Sequence, residues 1–132
     1  MEAVGANVDA AWCNRRVFAF HPHTSAFLAP PDTLIRIPAA VDDRRAALFA
    51  NAETAVNLVQ DGAPLIGERV LVLGLGVVGL LTSAILSRVP GVEVVAVDPL
   101  ANRRSAALAL GIPLTLRPDD LQAGADFDLV YE

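Results

Sequence analysis

The chain is poor in the residues that most often announce chemistry. It holds one cysteine, Cys13, among 132 residues, which excludes an intrachain disulfide and a multi-cysteine zinc centre and fits a reducing cytoplasm. Positive charge is scarce: the net charge is −5, and the basic residues come mostly as isolated pairs (Arg15–Arg16, Arg44–Arg45, Arg103–Arg104). A nucleic-acid surface wants clustered cations, so none is expected. The beginning of the chain carries Glu2 and Asp9 and no long apolar run, which speaks against a secretory signal. One long uncharged run exists, the 18 residues Val70–Ser87 between Arg69 and Arg88. It reaches the length of a membrane span, but a β-branched opening and three glycines would weaken a helix at its centre. No membrane segment is expected there.

What remains is a composition that builds a core, with 54% hydrophobic and 19% charged residues. The first third of the chain reads as β: short strands at Arg16–Phe20, Ala26–Ala29 and Leu34–Ile37, separated by the turn-like HPHTS and by Pro30–Pro31–Asp32. Asp42 or Asp43 then suits the N-cap of a helix. A second helix is expected from about Glu53 to Gln60, with Ala55, Val56 and Val59 inward and Gly62 as its stop. Beyond residue 67 strands and helices alternate. Strands fall at Val70–Leu73, Val92–Val97, near Pro113–Leu116 and at Phe127–Tyr131, and helices at about Val77–Arg88 and Ala101–Leu110, the latter stopped by Gly111. Such alternation implies a parallel sheet with right-handed crossovers, an α/β fold of the partial doubly wound type.

The first strand ends in Gly74-Leu75-Gly76-Val77-Val78-Gly79, a glycine loop opening a helix. Gly74 permits a sharp turn out of the strand, Gly76 lets a pyrophosphate approach the backbone, and Gly79 allows close helix packing. The helix N-terminus offers unpaired N–H groups to phosphate. Val77, Leu80, Leu81, Ala84 and Ile85 read as its inward face. A glycine loop alone is weak evidence, but it predicts an acid about 20 residues on, at the end of the next strand. Asp98 stands there, 19 residues after Gly79. Its carboxylate would accept from ribose hydroxyls and repel a 2′-phosphate, so NAD is favoured, with NADP as the alternative. Arg103 and Arg104 bear on that choice, because an arginine just past the acid can hold a 2′-phosphate; the alternative for either is the solvent face of the next helix. A methyltransferase-like reading fits less well, because GxGxG is usual there and Val78 takes the fifth position.

The run from Val17 to Leu81 resembles the medium-chain dehydrogenase/reductase superfamily of zinc-type alcohol dehydrogenases and quinone oxidoreductases. The residues that carry the likeness are Pro31–Pro38, Glu53-Thr54-Ala55, Gly67–Val70 and the glycine loop, and the match extends over about residues 16–132. The resemblance implies a NAD(P)-dependent oxidoreductase moving a hydride between nicotinamide and a small alcohol or carbonyl substrate. It implies residues 1–46 as the remnant of a GroES-like catalytic domain and 47–132 as a partial nucleotide-binding domain. Gly74, Gly76, Val77, Val78, Gly79, Asp98 and Arg103 become the candidate cofactor residues. Thr54 matches a threonine near the nicotinamide ring in many members, its plainer role being a back-bond within its own helix.

The departures are as specific. Ala50 stands where zinc-type members supply a metal ligand, and His21 and His23 flank Pro22 with no acid or thiolate nearby. Zinc is therefore not expected in this chain, and no catalytic residue can be named. Four strands can be placed where a doubly wound domain needs about six, so the resemblance implies an internal piece of a longer enzyme or a truncated product. The strand at Phe127–Tyr131 would then be an open edge, suited to a homo-oligomer or to a partner carrying the missing domain. Binding of nucleotide without turnover is the competing reading.

Overall fold

The computed structural model describes all residues from Met1 to Glu132 and divides into two compact units, Met1–Ala50 and Asn51–Glu132. In the first unit, strand β1 (Val17–Phe18) pairs antiparallel with β2 (Ile35–Arg36), with Phe18 opposite Ile35. Both strands are shorter than their sequence patterns suggest. Ala26–Ala29 forms no strand at all, and Leu28 is fully exposed. The apolar alternation there has no neighbouring strand to pair with, and prolines stand on either side of it. Arg16 closes the unit's polar side, donating to Asp43 at 2.7 Å and to the carbonyls of Val41 and Pro38. Helix α1 (Asp43–Ala46) is N-capped by Asp42, whose carboxylate accepts from Arg45 N–H at 2.9 Å.

Helix α2 (Phe49–Gly62) is longer than expected at both ends. Gly62 does not stop it; the left-handed residue is Ala63, at φ 44°, one position later. Gly62 is small for a different reason. A Cβ there would lie 1.9 Å from the Tyr131 hydroxyl. Ala55 is buried as expected, whereas Val56 is exposed.

The second unit is built on four parallel strands: β3 (Arg69–Leu73), β4 (Glu93–Val97), β5 (Leu114–Leu116) and β6 (Leu129–Tyr131), in the order β5-β4-β3-β6. This is the 3-2-1-4 half of a doubly wound sheet. Helices α3 (Val77–Leu86) and α4 (Ala101–Ala109) supply the crossovers. One face of the sheet buries Val70, Val72, Val94 and Ala96 with Leu75, Leu86, Ala107 and Ile112. The other buries Leu71, Val95 and Val97 beneath Leu116, Leu121 and Phe127. Burial on both faces explains why these strands read as continuous apolar runs. Arg69 sets the register at the start of β3: its N–H donates to Asp128 at 2.8 Å and its guanidinium pairs with Glu93 at 3.3 Å. The uncharged run Val70–Ser87 is thus a strand, a loop and a helix, and no helix of the chain is long and apolar enough to cross a membrane.

Helix α3 corrects the sequence reading. Its buried residues are Thr82, Ser83 and Leu86, while Val77 is 48% exposed and Leu81, Ala84 and Ile85 are half-buried. With Gly79 they form the i, i+3, i+4, i+7 stripe, so small side chains share the sheet-facing side of the helix with Leu86, and Leu80 of the expected face also packs against the core. A Cβ on Gly79 would sit 1.9 Å from the Gly74 carbonyl oxygen. Ala outranks Gly in a helix by about 1 kcal/mol, yet overpacking against rigid backbone costs about 1–3 kcal/mol. Gly79→Ala should therefore lower the denaturant midpoint; a raised midpoint would mean the loop carbonyl is not fixed where it stands.

Candidate functional site

The loop between β3 and α3 starts at Gly74, whose φ of +87° disfavours any side chain with a Cβ. Its N–H donates to Val97 O at 2.8 Å, and the next N–H, that of Leu75, donates to Asp98 Oδ2 at 2.8 Å. Two successive loop amides are thus held by the end of β4. The N–H groups that follow, on Gly76, Val77, Val78 and Gly79, are claimed by no bond within the chain. They form the first turn of α3, whose N-cap Gly76 has no side chain to satisfy them. A Cβ on Gly76 would meet nothing within 4 Å. The structure therefore presents unclaimed donors at a positive helix end with open space above them, which is an anion cradle.

That cradle opens into a cavity of about 400 Å³ lined by the loop, Thr82, Tyr131, Glu132 and, from α2, Asn51 and Leu58. Thr54 lies three residues after Asn51 and four before Leu58, on the same helical face. Leu58, Thr82, Tyr131 and Glu132 carried no distinguishing signal in the sequence; they reach the cavity through strand pairing and helix phase. The hydroxyls of Thr82 and Tyr131 are buried with no partner. Burial, with the nearby charges of Glu68 and Asp61, pushes the Tyr131 phenol above its usual range.

Asp98 directly follows β4, with its side chain 1% exposed. Oδ1 accepts from Leu100 N–H at 2.7 Å; Oδ2 accepts from Leu75 N–H and from Arg103 Nη1 at 3.2 Å. Arg103 is 46% exposed, so it is the outward member of the pair. Arg104 instead donates to the carbonyls of Asp98 and Pro99, at 2.7 and 2.9 Å. Burial works against ionisation of Asp98, but the amides of Leu100 and Leu75 and the Arg103 guanidinium outweigh it and hold the carboxyl below the ordinary aspartate value of 3.8. A depressed folded-state pKa means the unfolded chain binds the proton first. The stabilisation is complete above the ordinary value and is lost as the pH falls through the lowered one. Asp98→Asn should therefore flatten the acid limb of the stability curve and cost about 1–3 kcal/mol at neutral pH; urea titrations across pH 2–7 would read both, and an unchanged acid limb would count against the assignment.

No three His, Cys, Asp or Glu side chains converge on a point that could hold a metal ion. His21 stacks on Phe27 at 4.0 Å between ring centres, with Nδ1 2.9 Å from the Pro22 carbonyl.

No protein-family profile matches the chain. Over 104 residues it is 32% identical to a 2-dehydro-3-deoxy-L-galactonate 5-dehydrogenase of Pseudoalteromonas atlantica, a match covering 79% of this chain and 30% of that protein. Its fold matches a quinone oxidoreductase of Thermus thermophilus solved also with NADPH, at 27% identity and TM-score 0.72, over 89% of this chain and 43% of that one. It also matches an Escherichia coli alcohol dehydrogenase complexed with NADH, at 22% identity and TM-score 0.74, over 97% of this chain and 49% of that one. The chain thus spans under a third of the length of the curated relative and under half of each of these two solved structures. In sequence and fold the chain is similar to these dehydrogenases and oxidoreductases, and it resembles the medium-chain dehydrogenase/reductase superfamily.

Proposed function

We propose that this chain is the cofactor-binding part of an oxidoreductase that moves a hydride between NAD and a small alcohol or carbonyl compound, in the cytoplasm. The observation that carries the proposal is the row of unclaimed N–H groups on Gly76, Val77, Val78 and Gly79 beneath open space. Bound there, a nicotinamide dinucleotide would supply the hydride chemistry. The chain's residues bind and orient: Gly74 sets the turn, Gly76–Gly79 hold the pyrophosphate, and Asp98 and Arg103 stand at the adenosine ribose. The cavity bounded by Thr82, Tyr131 and Glu132 takes the nicotinamide half, with Thr54 on the α2 side. NAD is preferred to NADP because Arg103 is already paired with a buried carboxylate and is poorly available to a 2′-phosphate. Residues 1–46 we read as belonging to a GroES-like catalytic domain, which in this superfamily sets the substrate. The free edge of β6 suits a further strand, from a second copy or from a partner that completes the site. In that case the present chain binds nucleotide without turning it over.

Gly76 separates binding from folding. At φ −67°, ψ −173° the backbone of Gly76 suits any residue, and its Cβ position is empty. Gly76→Ala should therefore leave the unfolding free energy within about 0.5 kcal/mol of wild type and weaken NADH binding, followed by nicotinamide fluorescence, by roughly tenfold or more. Wild type should bind NADH more tightly than NADPH. Undiminished affinity in Gly76→Ala would show that the dinucleotide, if it binds, lies elsewhere.

A further inference from the structure

In the sequence Arg15–Arg16 stands as an isolated basic pair, but the pairing of β1 with β2 brings a third arginine to it. Val17 lies opposite Arg36, and Ile37 N–H donates to Arg16 O at 3.0 Å. Arg15, Arg16 and Arg36, with Asn14, Ile37 and Ala39, line a cavity of about 240 Å³ within the first unit. No carboxylate lines it, in a chain whose net charge is −5. The three guanidiniums are not equivalent. Arg16 is committed to the fold through Asp43 and the carbonyls of Pro38 and Val41. Arg15 uses only its Nε–H, which donates to Ala11 O at 3.0 Å. Arg36 has no hydrogen bond or ion pair through its side chain; its guanidinium lies over the Trp12 ring, 4.1 Å from the centroid.

We propose that this cavity is a binding site for a small dianion: a phosphate, free or carried on a small organic group, held between Arg15 and Arg36. Charge sets the choice. With Arg16 matched by Asp43, two guanidiniums are left uncompensated. A phosphate group carries about −1.5 to −2 charges at neutral pH and balances both, where a monocarboxylate would balance one. Geometry agrees, because stacking on Trp12 fixes the plane of Arg36 and leaves its N–H edge unclaimed, the arrangement that takes two oxygens of an oxyanion at once. The volume of about 240 Å³ is below the roughly 300–1,000 Å³ that enclose drug-sized ligands, so the cavity suits an ion or a small phosphorylated compound rather than a dinucleotide. The site is independent of the nucleotide reading: its residues all belong to the first unit, and none lines the cavity above the glycine loop. Its arginines are exposed, so binding weakens as ionic strength rises.

The test uses the full chain at fixed ionic strength and about pH 8, where phosphate is mainly dianionic. Inorganic phosphate and glycerol phosphate are titrated in, with acetate and chloride as controls. Trp12 is the only tryptophan, so its fluorescence reports on Arg36 directly; the phosphorus NMR line width of the ligand gives a second reading that does not depend on Trp12. Saturable binding of at least one phosphate is expected, weakened roughly tenfold or more by Arg36→Gln and by Arg15→Gln and unchanged in Gly76→Ala. Tighter binding of glycerol phosphate assigns the rest of the cavity to an organic group, and equal binding assigns the site to the free ion; either result supports it. Should one arginine variant not fold, the other decides, and wild type must saturate in any case. Three results overturn the proposal. One is no saturation by either phosphate. Another is an equal response to acetate or chloride, which would be screening alone. The third is binding lost in Gly76→Ala but kept in both arginine variants, which would place the ion at the glycine loop.

Discussion

The contact on which the second unit depends is the approach of helix α3 to the carbonyl of Gly74, at a point where no Cβ fits on Gly79. Because the helix comes so near, its first-turn amides lie directly beside the strand end. The loop between them is only Gly74–Gly76, too short to wander. Everything that makes the cavity follows from this closeness: the donors point outward together, the space above Gly76 stays empty, and Thr82 is drawn beneath the loop. A bulkier stripe on α3 would bury more apolar area and lose the geometry. The helix therefore gives up some hydrophobic contact for proximity, burying Thr82 and Ser83 beside Leu86.

That trade marks the limit of what the chain discloses as a string of letters. Strands β3 and β4 and the glycine loop were legible because continuous Val and Leu runs and fixed glycine spacing report local backbone needs. The position of Asp98 was legible because the length of a crossover unit fixes it. The inward face of α3 was legible only in part: Leu80 packs against the core, but hydropathy ranks Leu81 and Ile85 above Gly79, Thr82 and Ser83, whereas packing distance ranks them the other way. The occupation of the Asp98 carboxylate by the Leu75 and Leu100 amides was also hidden, because backbone donors leave no trace in residue identity.

The early part of the chain shows a second kind of limit. Ala26–Ala29 alternates like a strand, and β1 and β2 are each two residues long. A strand needs an edge to lie against, and propensity cannot supply one. The end of α2 shows the same point for glycine. Gly62 looked like a helix stop, but it is small because the Tyr131 ring lies against it, and the left-handed turn falls on Ala63. A glycine in a sequence says that something is close or twisted without saying which.

The strand order has a consequence for how the second unit comes together in time. β3 meets β4 across a separation of 24 residues but meets β6 only across 59. Closing the shorter loop costs less chain entropy, so β3, α3 and β4 can assemble as a local nucleus while β3 is still a lateral strand of the growing sheet. β3 becomes central only when Leu129–Tyr131 docks beside it, and the same event brings the Tyr131 ring against Gly62 and closes the cavity wall. During synthesis the loop and first turn of α3 would thus form before the cavity wall that Tyr131 supplies.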